Sequence, residues 1–255
     1  MNKHDHFLRI DDCGSIICYP KFDEAEFQKR REELESLGII GLESKGRTSI
    51  GEFKVLGKGY VGIVVSALKR NFGRVALKIR RVDADREDLN YESSMLKLAN
   101  SVNVGPKLYS NTDNFIVMEF IEGLLIGDWL LKLELPEESF RVKQVIIEIL
   151  EQCYRLDMIG LDHGELSNAR KHIIIDNFDK PTILDFETAS TIRKTSNVTS
   201  ICSFLFIKSP ISHLIASIIG EIDKHSLLRA LNKYKRVKDK ESFTYILKNV
   251  LKLSS

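Results

Sequence analysis

The residues best suited to chemistry begin with a glycine-rich run, Gly57-Lys58-Gly59-Tyr60-Val61-Gly62. Glycines lack a Cβ, so the backbone of a hairpin built from them can lie directly over phosphates. Val64, two residues after the third glycine, can close over a base. A Gly-x-Gly-x-x-Gly run also occurs in dinucleotide-binding folds, where a helix follows it. Here the following residues predict a strand, which favours a glycine-rich hairpin over a dinucleotide-binding turn.

The next run with chemical potential is Val75-Ala76-Leu77-Lys78. Side chains alternate along a strand, so Ala76 and Lys78 share one face and Val75 and Leu77 the other. The small Ala76 leaves room for a flat ring, and Lys78 can reach phosphate oxygens from the same surface. The alternative is a surface lysine on an edge strand.

Glu92 falls in the helix predicted after this strand, three residues after Leu89 and four before Leu96. That spacing puts it on the apolar stripe of the helix, where an unpaired carboxylate is costly. We therefore predict that Glu92 pairs with Lys78, and an exposed glutamate on another helix face is the alternative.

The elements that must position these residues form a strand-rich part followed by a helix-rich part, which is typical of an α+β fold. Residues 1–50 form an N-terminal extension with one clear helix, about Glu24 to Leu37, capped by Asp23 and closed by Gly38. The charged residues of this helix are interpreted as a solvated face: Lys29, Arg30, Arg31, Glu32 and Glu33. The predicted strands are 53–56, 61–68, 74–79, 115–120, 172–176 and 181–185, and the predicted helices include 84–100 and 137–159.

Together, the glycine-rich run, the lysine and the helix glutamate resemble the protein kinases, in order. The resemblance implies a two-lobed fold, with an antiparallel-sheet N-lobe at residues 51–122 and a short helical C-lobe at residues 123–255. It also implies that Ile116 to Gly123 is the hinge between the lobes. Met118 would guard the pocket behind adenine, and Glu119 to Ile121 would offer backbone donors and acceptors to the base.

The resemblance continues in the second half of the chain. His163-Gly164-Glu165 is similar to the His-Gly-Asp of small atypical kinases and aminoglycoside phosphotransferases, and Asp185-Phe186-Glu187 is similar to the Asp-Phe-Gly segment whose Asp chelates magnesium. It implies Lys78, Glu165 and Asp185 as catalytic residues, with ATP and Mg²⁺ as cofactors. The best match is to the small predicted serine/threonine kinases of archaea, relatives of the RIO and other atypical kinases.

Three departures from the family pattern bear on function. Glu165 stands where the family has its catalytic aspartate, and Arg170 stands where it has a metal-binding asparagine. Asn168 or His172 can replace that asparagine. We favour Asn168 because magnesium prefers oxygen ligands. Glu187 replaces the usual glycine and removes backbone freedom there.

The composition limits the classes of partner and the compartment that we expect for this chain. The net charge of +2 gives no field of one sign that suggests nucleic acid or an anionic membrane. The longest apolar stretch, Phe115 to Leu133, carries three acidic residues and is too interrupted to span a bilayer. No apolar run resembles a signal peptide, and four scattered cysteines are typical of reduced thiols, so we expect a cytoplasmic protein.

The sequence is compatible with three functions. The first is an ATP- and magnesium-dependent kinase that phosphorylates Ser/Thr hydroxyls of an unidentified protein substrate, including its own chain. The second is a nucleotide-binding pseudokinase or ATPase switch, suggested by Glu165 and the missing asparagine. The third is a small-molecule phosphotransferase, suggested by His163-Gly164 and the short second lobe.

Overall fold

The apolar and β-branched runs of the first half form most of the strands that the sequence predicts. The computed structural model describes residues 6–133 and 138–252. The strands are β1 (Phe7–Arg9), β2 (Ile39–Glu43), β3 (Thr48–Ile50), β4 (Phe53–Val55), β5 (Gly57–Lys58), β6 (Gly62–Lys69), β7 (Gly73–Arg80), β8 (Leu108–Asn111), β9 (Phe115–Met118), β10 (Gly123–Leu125), β11 (Ile173–Asp176) and β12 (Pro181–Ile183).

The helices are concentrated in the second half, as expected. They are α1 (Gly14–Ile17), α2 (Glu24–Ser36), α3 (Asn90–Asn100), α4 (Ile126–Leu131), α5 (Ser139–Met158), α6 (Asn197–Ser203), α7 (Pro210–Ile219), α8 (Lys224–Val237) and α9 (Lys240–Tyr245). Short 3₁₀ segments occur at Ile10–Cys13 and Leu166–Lys171, and π-helical turns at Phe204–Lys208 and Ile246–Val250. The chain is therefore α+β, which confirms the predicted class.

Contacts divide the chain into two compact units. Unit 1 comprises Met1–Lys97 and Pro106–Phe120, and unit 2 comprises Leu98–Gly105 and Ile121–Ser255. Unit 1 contains a seven-stranded sheet in the order β1-β2-β6-β7-β9-β8, with β5 also paired to β6, and a β3–β4 hairpin. Unit 2 contains a three-stranded sheet, β10-β11-β12, together with most of the helices. Every strand pairing in the described part of the chain is antiparallel.

One face of the large sheet is covered by the N-terminal segment. The alternating residues Val65 and Leu77 belong to one hydrophobic core with Ile17 of α1 and Leu34 of α2. Burial of such side chains is the main favourable term in folding. The first fifty residues therefore supply a core layer, and they add strands β1 to β3 that the sequence analysis did not identify.

The α2 helix confirms two predictions and overturns a third. The Asp23 carboxylate accepts from the Glu26 N–H at 2.9 Å, and Gly38 follows the helix at φ +72°. The interpretation of all the charged residues as a solvated face was wrong for Arg30, which has no exposed surface. The spacing of Phe27, Arg30 and Leu34 puts all three on the buried stripe.

Two predicted boundaries also differ. The helix expected from residue 84 begins at Asn90, where the Asp88 carboxylate accepts from the Asn90 N–H at 2.8 Å. The preceding residues bond locally instead, because Arg81 is engaged by Asp83 and Arg80 by the Arg86 carbonyl. Asp88 bonds the backbone two residues on, and short polar side chains that do so compete with helix. The strand expected to reach Asp185 ends at Ile183.

All four cysteines are free and buried. Burial raises the pKa of the Cys13 thiol to about 11, so this side chain is a neutral thiol at physiological pH. Within residues 6–133 and 138–252, no single helix is both long and apolar enough to cross a bilayer. One bent pair, Asn197–Lys208 with Pro210–Ile219 at 81°, meets that criterion only when its two parts are taken together.

Candidate functional site

In unit 1, the glycine-rich run forms a hairpin between β5 and β6. Gly57 pairs with Val64, and the Gly59 N–H donates to the Gly62 carbonyl at 2.8 Å to close the turn. Gly62 has a steric reason to lack a side chain. A Cβ there would lie 2.8 Å from the Ile79 carbonyl oxygen and 3.1 Å from Lys78 Cε. The hairpin therefore packs directly on the strand that carries the lysine.

Lys78 and Glu92 form the buried pair that the sequence predicts. The Lys78 Nζ lies 2.8 Å from one Glu92 carboxylate oxygen and 2.7 Å from the other. Both side chains are less than a tenth exposed. Removing two charges from water costs free energy that their attraction only partly offsets, so such a pair is weak evidence for stability. It fixes the ammonium group at a defined point beside the hairpin.

The other sequence-predicted nucleotide residues of unit 1 share the face of the sheet that carries Lys78. Val64 is opposite Lys78 in the strand register, and Ala76 is opposite Met118. Residues directly opposite each other in a sheet project to the same side. Val64, Ala76, Lys78 and Met118 therefore line one surface, the face opposite to the N-terminal core.

The predicted hinge residues belong to different units, with Glu119 in unit 1 and Ile121 in unit 2. The Glu119 N–H donates to the Lys107 carbonyl at 2.9 Å, so this N–H is already engaged within the protein. Ile121 is the first residue of the second part of unit 2.

In unit 2, the structure brings together Glu165, His172 and Asp185, whose candidate ligand atoms all lie within 4.8 Å of one another. His172 lies between the two carboxylates. Its Nε2 is 3.1 Å from Glu165 Oε2, and its Nδ1 is 3.8 Å from Asp185 Oδ2. Asn168 is exposed on the 3₁₀ segment, and its N–H donates to the Glu165 carbonyl at 3.0 Å. His172, the alternative to Asn168 in the sequence prediction, thus lies beside Asp185.

The backbone of Asp185 is unusual. Its φ of +68° lies in the left-handed region, which a residue with a Cβ seldom adopts. Aspartate tolerates this region better than most residues because its short side chain can hydrogen-bond locally. Here the next side chain, Phe186, is buried with its ring centroid 5.1 Å from that of His163. The conformation directs Asp185 outward while its neighbour is anchored.

This group has the donor atoms that a divalent cation requires. The Asp185 carboxylate suits magnesium, which is commonly held by one or two carboxylates and by substrate phosphates. Among the described residues, the buried His172 Nδ1 has no hydrogen-bond partner. An unsatisfied buried acceptor or donor is costly, and a bound ion or water is one way to satisfy it. The residues present therefore fit a divalent ion at Asp185.

His163 supports the loop that carries Glu165. Its ring is fully buried, with Nε2 2.9 Å from the Leu184 carbonyl, and its Nδ1 accepts from the Glu165 N–H at 3.4 Å. These two contacts select the neutral tautomer protonated on Nε2. Burial is the main reason that the pKa of His163 falls to about 4 from its ordinary value of 6.5.

The lowered pKa of His163 predicts a loss of stability in acid. The unfolded chain protonates this imidazole near pH 6.5, whereas the folded chain does so only near pH 4. Between these values the unfolded state binds more protons, so the free energy of unfolding falls as the pH falls through this window, by roughly 3 kcal/mol.

Denaturant titrations at several pH values check this expectation. His163→Asn should show a shallower pH dependence than the wild type, and replacement of the exposed His213 by Asn should not. Equal pH slopes in wild type and His163→Asn would contradict the assignment.

A buried polar network fixes the same loop from the other side. The Asn197 side chain accepts from the His163 N–H at 2.9 Å and donates to the Leu161 carbonyl at 2.7 Å. Its own position is set by Asp157, which accepts from the Asn197 backbone and side-chain N–H groups at 3.0 and 2.9 Å. Every member lies within unit 2, and residues 161–163 are held by groups from α5 and α6.

The segment after Asp185, which is rich in Ser and Thr, is also hydrogen-bonded to the loop that carries Glu165. Arg193 donates to the Asp162 carboxylate at 3.0 Å and to the Thr188 carbonyl at 2.6 Å. Gly164, at φ +92°, has no room for a Cβ because the Arg193 guanidinium and the Thr188 hydroxyl lie within 3 Å of that position. No local sequence pattern marks Asp162, Arg193 or Asn197, because their roles depend on contacts between residues about thirty positions apart.

Comparisons with known proteins give one relative and no family model. Over 122 residues the chain is 31% identical to the uncharacterized protein MJ1211 of Methanocaldococcus jannaschii. The match covers 47% of this chain and the whole length of that protein. No protein-family model matches the chain.

Proposed function

Because the chain belongs to the family of the uncharacterized protein MJ1211, whose name states no activity, we propose a function from the residues themselves. The protein is an ATP- and magnesium-dependent kinase with a two-lobed protein-kinase-like fold. It transfers the γ-phosphate to Ser/Thr hydroxyls of a protein substrate, and its own chain is one acceptor.

The observation that carries this proposal is the buried Lys78–Glu92 pair beneath the glycine-rich hairpin. The phosphates of a nucleoside triphosphate require a fixed positive charge and a backbone that can approach them closely. These residues offer both on one face of the sheet. Ala76 and Met118 lie on the same face and offer an apolar surface for a base. Phosphoryl transfer depends mainly on such positioning and electrostatic stabilisation.

The residues of unit 2 supply the other chemical roles. Asp185, with His172 beside it, is suited to hold the metal ion, which neutralises charge on the phosphates. Glu165 accepts the proton of the acceptor hydroxyl or orients that hydroxyl. His163 holds the backbone of Glu165, so the carboxylate is presented from a fixed loop.

Replacement of Asp185 by asparagine should remove the magnesium dependence of nucleotide binding or turnover. The amide keeps the shape of the side chain but loses the charge that binds a hard cation. A magnesium titration at constant ATP measures the effect. An unchanged magnesium dependence in the variant excludes Asp185 as the metal ligand.

A second candidate function is a nucleotide-binding pseudokinase or ATPase switch. It is favoured by the contact between Glu165 and His172, which occupies the carboxylate that the kinase reaction needs. A small-molecule phosphotransferase is the third candidate, on the His163-Gly164 motif alone.

One experiment distinguishes these functions. The purified chain is incubated with magnesium and γ-labelled ATP, and protein-bound phosphate is separated from free phosphate. A protein kinase labels the chain or an added protein, and an ATPase switch releases free phosphate. A small-molecule phosphotransferase does neither until an acceptor is supplied. Absence of nucleotide binding and of turnover under all conditions overturns the proposal.

A further inference from the structure

The most deeply buried charged side chain on α2 is that of Arg30, which has no exposed surface. Its guanidinium makes four hydrogen bonds. Nε donates to Glu26 at 2.6 Å, one terminal nitrogen donates to the carbonyls of Ile17 and Arg80 at 2.8 and 2.6 Å, and the other donates to Asn114 Oδ1 at 3.1 Å. A buried guanidinium is tolerated only when its donors are satisfied in this way.

Asn114 lies in the turn that joins β8 to β9, and its side chain is hydrogen-bonded to α2. Besides Arg30, its side-chain oxygen accepts from Arg80 Nε at 2.9 Å, and its amide donates to Glu33 Oε1 at 2.6 Å. Asn114 is itself only 1% exposed. The turn is therefore attached at a single side chain to both α2 and the end of β7.

The same turn holds the beginning of α3. The Asp113 carbonyl accepts from the Leu89 N–H at 2.9 Å, and its carboxylate accepts from the Asn90 side chain at 2.9 Å. Asn111 donates to the other side of the Asn90 amide, also at 2.9 Å. Glu92 lies in the first turn of α3, two residues after Asn90.

These contacts form a closed ring within unit 1. It runs from Arg30 through Asn114 and the turn to α3, then through the Glu92–Lys78 pair to β7 and back to Arg30 at the Arg80 carbonyl. Hydrogen bonds to charged groups in a low-dielectric interior are strong and directional, so each member restricts the next.

We propose that Arg30 is a positioning residue that fixes the start of α3, so that Glu92 holds Lys78 in place. This inference extends to nucleotide binding only if the proposed function is correct. The Lys78–Glu92 geometry, however, can be tested without any nucleotide. The N-terminal segment then has a defined role, because its helix α2 determines whether Lys78 is paired.

The primary test measures how fast Lys78 reacts with a small amine-reactive reagent, with the modified residue quantified by mass spectrometry. In the wild type Lys78 is buried and paired, and its reaction should be slow. Arg30→Met removes the guanidinium and its hydrogen bonds but keeps an unbranched side chain that can fill the buried space. Because hydrogen bonds to a charged group are lost, we expect labelling of Lys78 to rise about tenfold.

The matched control is Leu34→Ala, which weakens the packing of the same helix but removes none of the Arg30 contacts. Its Lys78 labelling should remain at the wild-type rate at a temperature where both variants are fully folded, as verified by circular dichroism. Arg30→Lys, which keeps the charge but not the planar fork of donors, should give an intermediate rate. Asn114→Ala should raise labelling, and combining it with Arg30→Met should add little, since both break the same ring.

Each outcome either supports or overturns the positioning role of Arg30. Faster labelling in Arg30→Met but not in Leu34→Ala supports it, whether or not ATP binds. Equal labelling in wild type and Arg30→Met, or an equal rise in Leu34→Ala, overturns it. If the supporting pattern is found and the wild type binds no magnesium-ATP, the proposed function fails while the positioning role stands.

Discussion

Replacement of Lys78 by methionine is expected to lower the rate of phosphoryl transfer by about 10²- to 10³-fold, the range found when one preorganised electrostatic group is removed. Lys78 is the cationic side chain that Glu92 fixes beside the glycine-rich hairpin, and methionine keeps its length without its charge. Single-turnover transfer at saturating magnesium-ATP measures the effect.

This variant needs controls, since Glu92 is left buried without its partner. Removal of one member of a buried pair typically costs about 3–5 kcal/mol. Thermal unfolding must therefore show that the variant is folded at the assay temperature. Lys54→Met removes an exposed lysine of the same unit and should leave transfer unchanged. Transfer by Lys78→Met at the wild-type rate removes Lys78 from the mechanism.

Replacement of Glu165 by glutamine should lower single-turnover transfer by about 10²- to 10⁴-fold, the usual contribution of general acid–base assistance. The amide preserves the shape of the side chain and removes the proton acceptor. Nucleotide affinity should hardly change, because the proposed mechanism has Glu165 act on the acceptor hydroxyl and not on ATP. Glu221→Gln, at an exposed position of the same unit, is the matched control.

Glu165→Asp is a sharper test of the same residue. The loop is held by His163 and Asn197 in a position that suits the longer side chain, so the shorter carboxylate should not reach the same point. We expect activity to fall, since a displacement of about one ångström can cost roughly 10²-fold. A strong rise in activity indicates a degraded kinase loop. No change in either variant means that Glu165 is not catalytic and favours the pseudokinase function.

The sequence predicted the Lys78–Glu92 contact because strand alternation and the helical stripe each limit a residue to one face. The same reasoning applies to Arg30, which falls between Phe27 and Leu34 on the buried stripe of α2. The four charged residues around it point instead to a solvated face, since charge usually signals exposure. Helical spacing was the better guide at both positions.

Other features depend on contacts that no local pattern encodes. His172 lies beside Asp185, directly after an irregular 3₁₀ segment whose path no local sequence pattern predicts. Strand β1 has only three residues and β2 is buried at four of its five positions, so neither shows a clear alternation of apolar and polar residues. The helix expected from residue 84 begins only at Asn90, where the Asp88 carboxylate accepts from the backbone N–H.

The most direct test of the central claim is a calorimetric titration of the wild-type chain with ATP, in the presence and absence of magnesium. If this chain is a magnesium-dependent kinase, the titration shows saturable binding at one site, and that binding weakens when magnesium is withheld. Absence of detectable binding at millimolar ATP with magnesium present would contradict the account at its foundation.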